Sequence, residues 1–318
     1  MAHALSVLIV IASKDKRQRE DGMTAITTAE MTTGSVVSRD GTRIGYLRVG
    51  QGPPVVLLHG SSESARSHTQ LALALADAFT IYLPDRRGRG LSGPHRPDHS
   101  MRTEVEDLQA VLTESGAQKV FGVSTGGLIV LEAARIQPAI RKIAVYEPGL
   151  LLDPTRYTGW VRRFDREMAQ GKVAAAVTTS VRGLDLAPPV FKRMPRPLAE
   201  ALTNKSMDSE DKKASSDAVT IRQLAPTLRY EGLLLAETAG TIGAFAEVAA
   251  DVLLLGGDMK RPAFIKPAFD ALARTLPHNR RVRFSGLDHG GSADVSPINR
   301  RGKPEIVAPE IRSFFAQP

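Results

Sequence analysis

The chain has 318 residues, with 42 Lys and Arg against 34 Asp and Glu for a net charge of +8, and it contains no cysteine. That length suits one large α/β domain or a core with an insertion. The missing cysteines exclude disulfide scaffolds, thiol catalysis and Cys-ligated zinc or iron–sulfur centres. The positive excess forms no long basic run and only 5% of residues are aromatic, which does not fit a nucleic-acid reader.

In chain order, the apolar stretch Ala4–Ala12 has only His3 ahead of it, with Lys14, Lys16, Arg17 and Arg19 behind. An export signal carries its positive charges first. Residues 1–33 are therefore read as a poorly ordered extension, or as sequence ahead of a start at Met23 or Met31. The protein is expected in the cytoplasm, with secretion as the alternative. No stretch approaches the roughly 18–20 apolar residues of a membrane helix, so no membrane partner is expected.

From residue 34 the pattern is regular. Val36–Ser38 and Arg43–Val49 read as strands around the turn Asp40-Gly41, a strong hairpin signal. Val55–Leu58 is a continuous apolar run, typical of a strand buried on both faces. A helix over about 65–76, a strand Phe79–Leu83, a helix over about 102–115 and a strand Lys119–Val123 follow. Next come a helix Gly127–Ile136, stopped by Pro138, and a strand Lys142–Tyr146. This alternation predicts an α/β fold with a mostly parallel sheet flanked by helices. Between Pro148 and Val248 the strand pattern disappears, and Trp160, Phe164 and Met168 recur at helical spacing. Alternation resumes with Asp251–Leu255, a helix near 263–275, a strand Arg281–Phe284 and a helix near 304–315. Residues 151–250 are thus read as a helical cap inserted into a core of residues 34–150 and 251–318.

Gly122-Val123-Ser124-Thr125-Gly126 is a G-x-S-x-G placed where a buried strand meets a helix. That is the strand–turn–helix setting of a nucleophile elbow, which needs small residues two places either side of the serine. Ser124 is the candidate nucleophile. His59-Gly60-Ser61 closes another buried strand, so the N–H groups of Ser61 and Thr125 are the candidate oxyanion donors. His289, in a loop after the last strand, is the candidate base. An acid must orient it, and two carboxylates stand on the carboxyl edge where open α/β sheets place their sites: Asp258 after the penultimate strand and Glu147 after the strand that follows the elbow helix. Trp160 and Phe164 either pack against the core or line the substrate pocket.

Leu58-His59-Gly60, the run Asp85-Arg86-Arg87-Gly88-Arg89-Gly90-Leu91-Ser92, the elbow at Ser124 and Gly286-Leu287-Asp288-His289 together resemble the α/β-hydrolase family over roughly residues 34–318. In most of that family the acid follows the penultimate strand, which favours Asp258. It usually stands three residues after a glycine, however, and Asp258 is two after Gly256. Some family lactonases place a glutamate after the strand that follows the elbow helix, as Glu147 does here.

Gly88–Gly93 also spells G-x-G-x-x-G, but Pro94 and Pro97 leave no helix N-terminus for a pyrophosphate. His95 and His99 have metal-like spacing, and the same prolines are expected to keep them from aligning. No cofactor or metal is implied. The expected activity is a serine hydrolase that cleaves an ester or lactone of a small to medium apolar molecule through an acyl-enzyme. Carbon–carbon bond hydrolysis, peracid formation and thioester hydrolysis are the alternatives within the fold, and a hydrolase-fold binding protein without turnover is the alternative outside catalysis. The elbow serine argues against the family's epoxide hydrolases and haloalkane dehalogenases, which use aspartate there.

Overall fold

The computed structural model describes residues 30–153, 159–184, 186–215, 218–259, 264–296 and 299–317. The expected extension lies outside the described residues as far as residue 29, while Thr32 and Thr33 already belong to the first strand.

Among the described residues eight strands form one sheet: β1 Thr32–Val37, β2 Arg43–Val49, β3 Pro54–Leu58, β4 Thr80–Pro84, β5 Lys119–Val123, β6 Lys142–Tyr146, β7 Asp251–Gly257 and β8 Asn279–Phe284. Their order is β1-β2-β4-β3-β5-β6-β7-β8. β2 pairs antiparallel with β1 and with β4, and every other pairing is parallel. The first hairpin closes at Asp40-Gly41, where Asp40 Oδ1 accepts from Thr42 N at 2.9 Å.

The outer helices of the chain are α1 Thr69–Leu75, α2 Met101–Ser115 and α3 Thr125–Ile136, then α10 Ile265–Thr275 and α11 Pro304–Ala316. Between β6 and β7 run α4 Val161–Ala169, α5 Val173–Gly183, α6 Pro189–Arg193, α7 Arg196–Asp211, α8 Ile221–Leu224 and α9 Leu228–Glu237. The helix expected from residue 65 is a 3-10 turn over Ala65–His68 before α1 begins. At the break the Gln70 N–H goes to the Asp294 carboxylate instead of back to the preceding turn. The prolines near 188–197 start helices rather than merely interrupt them, because an N-terminal turn needs no N–H from them.

Alternate strand residues feed opposite faces. Val55, Leu57, Phe121 and Val123 join α1 and α11 in one apolar layer. Val56, Leu58 and Val120 join α2, α3 and α10 in the other, which runs on without a break into the inserted helices through Trp160, Phe164 and Leu228. The insertion therefore shares a core with the sheet.

A buried ion network holds α9 to the loop after β4. Glu231 meets Arg86 at 3.0 Å and is bonded to Arg89, while Glu104 takes two hydrogen bonds from Arg86 at 2.7 and 3.0 Å. All four side chains are at most 2% exposed. Beside them Tyr230 stacks on His95 with ring centroids 3.9 Å apart. Breaking a buried pair by removing one partner strands the other charge, at about 3–5 kcal/mol. Glu231→Ala is accordingly expected to lower unfolding free energy by about that amount in a denaturant titration. A loss below about 1 kcal/mol would mean that water reaches the two arginines.

Candidate active site

Ser124 stands between β5 and α3 with φ 53 and ψ −123. A serine in this sparsely populated region costs on the order of 1–3 kcal/mol and persists only where its surroundings over-determine it. They do so here: Ser124 N donates to Tyr146 O at 3.1 Å, and its carbonyl accepts from Leu128 N and Gly149 N. The flanking glycines are steric necessities. A Cβ on Gly122 would lie 2.7 Å from Gly126 O, and one on Gly126 would collide with the carbonyl oxygens of Leu58 and His59. α3 thus packs against the ends of β5 and β3 at backbone distance, and Ser124 is lifted onto the carboxyl edge.

Glu147 ends the neighbouring strand β6 in a similar way, with φ 43. Its Oε2 receives His289 Nδ1 at 2.8 Å and its Oε1 accepts from Gly257 N at 3.0 Å. The carboxylate is fully buried, and His289 is 3% exposed. With Nδ1 donating to an acceptor-only carboxylate, the Nε2 lone pair is left for another partner. The loop carrying His289 is pinned on both sides: Tyr146 Oη donates to Asp288 O at 2.7 Å, and Asn299 Nδ2 donates to Gly290 O at 2.9 Å. Sequence reasoning did not single out Tyr146 or Asn299, since neither belongs to a local motif.

Asp258, the acid favoured from the sequence, is elsewhere. It is exposed, and its Oδ1 accepts from Gly286 N at 2.8 Å in the turn after β8. Hydrogen bonds from the Gly286 N–H and the Ser285 side chain hold its carboxyl below the usual range. The end of β7 carries Gly256 and Gly257 because other groups fill that space. A Cβ on Gly256 would be 3.2 Å from Glu147 Cγ, and one on Gly257 would strike Leu287 O. The geometry pairs His289 with Glu147 and leaves Asp258 outside.

Ser61 and Ser124 lie on the adjacent ends of β3 and β5. Among the described residues the N–H groups of Ser61 and Thr125 have no hydrogen-bond acceptor, and Thr125 N opens α3, the positive end of a helix. His59 shapes the turn before Ser61. Its Nε2 accepts from Arg86 N at 3.1 Å, and its Nδ1 lies 2.9 Å from Gly60 O. Burial, aided by Arg89 and Arg86, holds its pKa well below the usual value, so it is a neutral brace.

Trp160 and Phe164 meet edge to face at 5.7 Å in the packed interior of the inserted helices, with the indole over Gly183 and Gly232. Neither lines the cleft of about 450 Å³ that opens between the inserted helices α7 and α8 and the core loops after β3 and β8. Ser62, Arg66 and Asp294 line its core side, and Glu210, Lys213 and Ile221 its helical side. Burial pushes Glu210 up to about 7 and Asp294 up to about 6.

His95 and His99 do come together with Glu104, ligand atoms within 4.8 Å, although no helix aligns them. The proline-bearing loop folds back and achieves what a helical spacing was expected to be needed for. The cluster does not suit a cation. Glu104 is already held by Arg86 and by His99 at 3.1 Å, and burial pushes His95 down to about 2 beside two guanidiniums. Among the described residues no helix is long and apolar enough to cross a membrane.

The comparisons agree with this architecture. Residues 55–298 match the model of the alpha/beta hydrolase family. A pimeloyl-[acyl-carrier protein] methyl ester esterase of Stenotrophomonas maltophilia (strain K279a) is 27% identical over 84% of this chain and 94% of its own length. A cis-3-alkyl-4-alkyloxetan-2-one decarboxylase of Shewanella oneidensis is 30% identical, but the match spans only 36% of this chain and 38% of that protein. The crystal structure of an alpha/beta hydrolase from Sphaerobacter thermophilus DSM 20745 superposes with a TM-score of 0.71 at 28% identity, covering 89% of this chain and all of that one. The chain belongs to the alpha/beta hydrolase family.

Proposed function

We propose that this protein is a serine hydrolase that cleaves a carboxylic ester or lactone, with Ser124 as nucleophile, His289 as base and Glu147 as the orienting acid. The observation that carries the reading is the buried hydrogen bond between Glu147 Oε2 and His289 Nδ1, on the same sheet edge as the strained Ser124. A carboxylate at Nδ1 fixes the tautomer whose Nε2 can accept a proton, and it stabilises the imidazolium that results.

In this reading Ser124 Oγ attacks the substrate carbonyl as its proton passes to His289 Nε2. The N–H groups of Ser61 and Thr125 receive the oxyanion. The tetrahedral intermediate collapses to an acyl-enzyme, and His289 returns the proton to the leaving alkoxide. Water, deprotonated by the same nitrogen, then releases the acid and restores the serine. The helices between β6 and β7 act as a cap, since they meet the loops after β3, β4 and β8 at the carboxyl edge. The cleft between those helices and the core is lined by Ser62, the neighbour of Ser61, but not by Ser124, Glu147 or His289. The esterase from Stenotrophomonas maltophilia, similar over most of its length, supports ester chemistry. The glutamate after β6 matches the arrangement of some of the family's lactonases.

Ser124→Ala is expected to abolish labelling by a fluorophosphonate probe and to lower hydrolysis of p-nitrophenyl butyrate by several orders of magnitude, with the melting temperature unchanged. A parent protein that the probe does not label would point instead to a binding protein on a hydrolase fold. The acid is separable by amide replacement. Glu147→Gln keeps the shape but favours the wrong imidazole tautomer, with a loss of roughly 10⁴ in kcat. Asp258→Asn, on the exposed turn, is expected to stay within about tenfold of the parent. Steady-state rates of the two folded variants decide the assignment, and equal losses would contradict it.

A further inference from the structure

Glu63 stands outside every motif that identifies the family, yet it is buried, 4% exposed, directly behind the turn that carries Ser61. Its Oε2 accepts from Gly60 N at 2.7 Å, and the same oxygen meets His68 Nε2 at 3.2 Å. Burial disfavours a charged His68, but the Glu63 carboxylate outweighs it and raises the imidazole above its usual pKa, with Asp294 adding to the effect. A charged pair of this kind is a firm anchor in a low-dielectric site.

What the anchor holds follows from peptide planarity. Gly60 C=O and Ser61 N–H belong to one trans peptide and point in opposite directions. His59 Nδ1 fixes that carbonyl at 2.9 Å, which sets the direction of the Ser61 N–H. The peptide before it ends in Gly60 N–H, which Glu63 fixes. Gly60 is the residue with the most backbone freedom in the turn, and the space around it is tight: a Cβ there would lie 3.1 Å from Ser124 Cβ and 3.2 Å from Glu63 Oε2. The next residue, Ser62, has φ 56, so the turn needs external support. Clamping both peptides of Gly60 removes the freedom that glycine brings.

We propose that Glu63 is a positioning residue of the oxyanion turn, whose carboxylate, held by His68, takes the Gly60 N–H and so fixes the direction in which Ser61 N–H is presented beside Ser124. This rests on the reading of Ser124 as the nucleophile. Glu63 acts through the turn and touches no substrate atom.

The test separates reach from charge. Glu63→Gln keeps the length and a carbonyl oxygen that can take both Gly60 N–H and His68 Nε2–H. Glu63→Asp keeps the charge but is one methylene too short. With p-nitrophenyl butyrate, Glu63→Gln is expected to hold kcat within about threefold of the parent. Glu63→Asp is expected to lose about 10- to 100-fold in kcat with KM within about twofold, less than the roughly 10²–10³ lost on outright removal of an oxyanion donor. Affinity for phenylboronic acid, which forms an anionic adduct on an active serine, should fall by a similar factor in Glu63→Asp alone. A folded Glu63→Asp with parental kcat, or one that outperforms Glu63→Gln, overturns the proposal. Should Glu63→Asp not fold, Glu63→Ala, which removes the acceptor, is read beside Glu63→Gln: a folded Glu63→Ala that loses tenfold or more in kcat while Glu63→Gln stays within about threefold supports the proposal, and parental kcat and boronate affinity in Glu63→Ala overturn it. Ser124→Ala is assayed alongside. If it turns over like the parent, the nucleophile reading itself falls; if it is dead while Glu63→Asp is parental, only the role of Glu63 is wrong.

Discussion

The candidate site depends on one buried carboxylate. Glu147 has no solvent exposure, and such a group is stable only when its oxygens are met. Meeting them governs three strands. Strands in a sheet lie about 4.8 Å apart, and the order β6-β7-β8 puts the loop of His289 two spacings from the strand that bears Glu147. The side chain must therefore cross the end of β7. Gly256 and Gly257 leave that end bare, and the Gly257 N–H supplies the second hydrogen bond on the way. An aspartate, one methylene shorter, would not cross as readily, whereas it would suffice from β7. The residue type and the strand that carries it are thus linked.

This explains how the sequence divided into legible and illegible parts. The sheet was legible because parallel strands are continuous apolar runs and the helix after Ser124 carries a clear stop at Pro138. Ser124 was legible because the elbow is a local device: its demands for small neighbours fall within five residues. The partner of His289 was not, because the choice between Asp258 and Glu147 turns on which side chain occupies the space above β7, a contact between residues 110 positions apart. The glycine pair at 256–257 was the available signal, and it reads correctly only once Glu147 is known to lie over it. The cluster of His95, His99 and Glu104 was illegible for the same reason, since helical spacing says nothing of a loop that folds back.

The polar groups around the site form two braces with different physics. One is neutral: His59, kept uncharged by burial, holds Gly60 O and receives Arg86 N–H. The other is ionic: Glu63 with His68 behind the turn, and Arg86 and Arg89 with Glu104 and Glu231 beneath α9. Arg86 belongs to both, through its backbone N–H and its side chain. The turn that bears Ser61 and the helix α9 are consequently fixed to the same residue. A shift of α9 cannot occur without disturbing charges that have no water to replace their partners.

Strain is placed where that rigidity can hold it. Among the described residues, the positive-φ residues other than glycine are, besides Ser62, Ser124 and Glu147, at the ends of the adjacent strands β5 and β6. Each keeps its N–H in the sheet's pattern, Ser124 to Tyr146 O and Glu147 to Leu255 O, before the chain turns out of it. The ladder thus continues up to the strained residue itself, and the apolar layers on both faces resist any slip of the strand. A cost of a few kcal/mol is tolerable only in such a setting. Relaxing either φ would withdraw Ser124 from the edge or Glu147 from His289, so the same sheet that makes the strain bearable is what brings the candidate site residues to one edge.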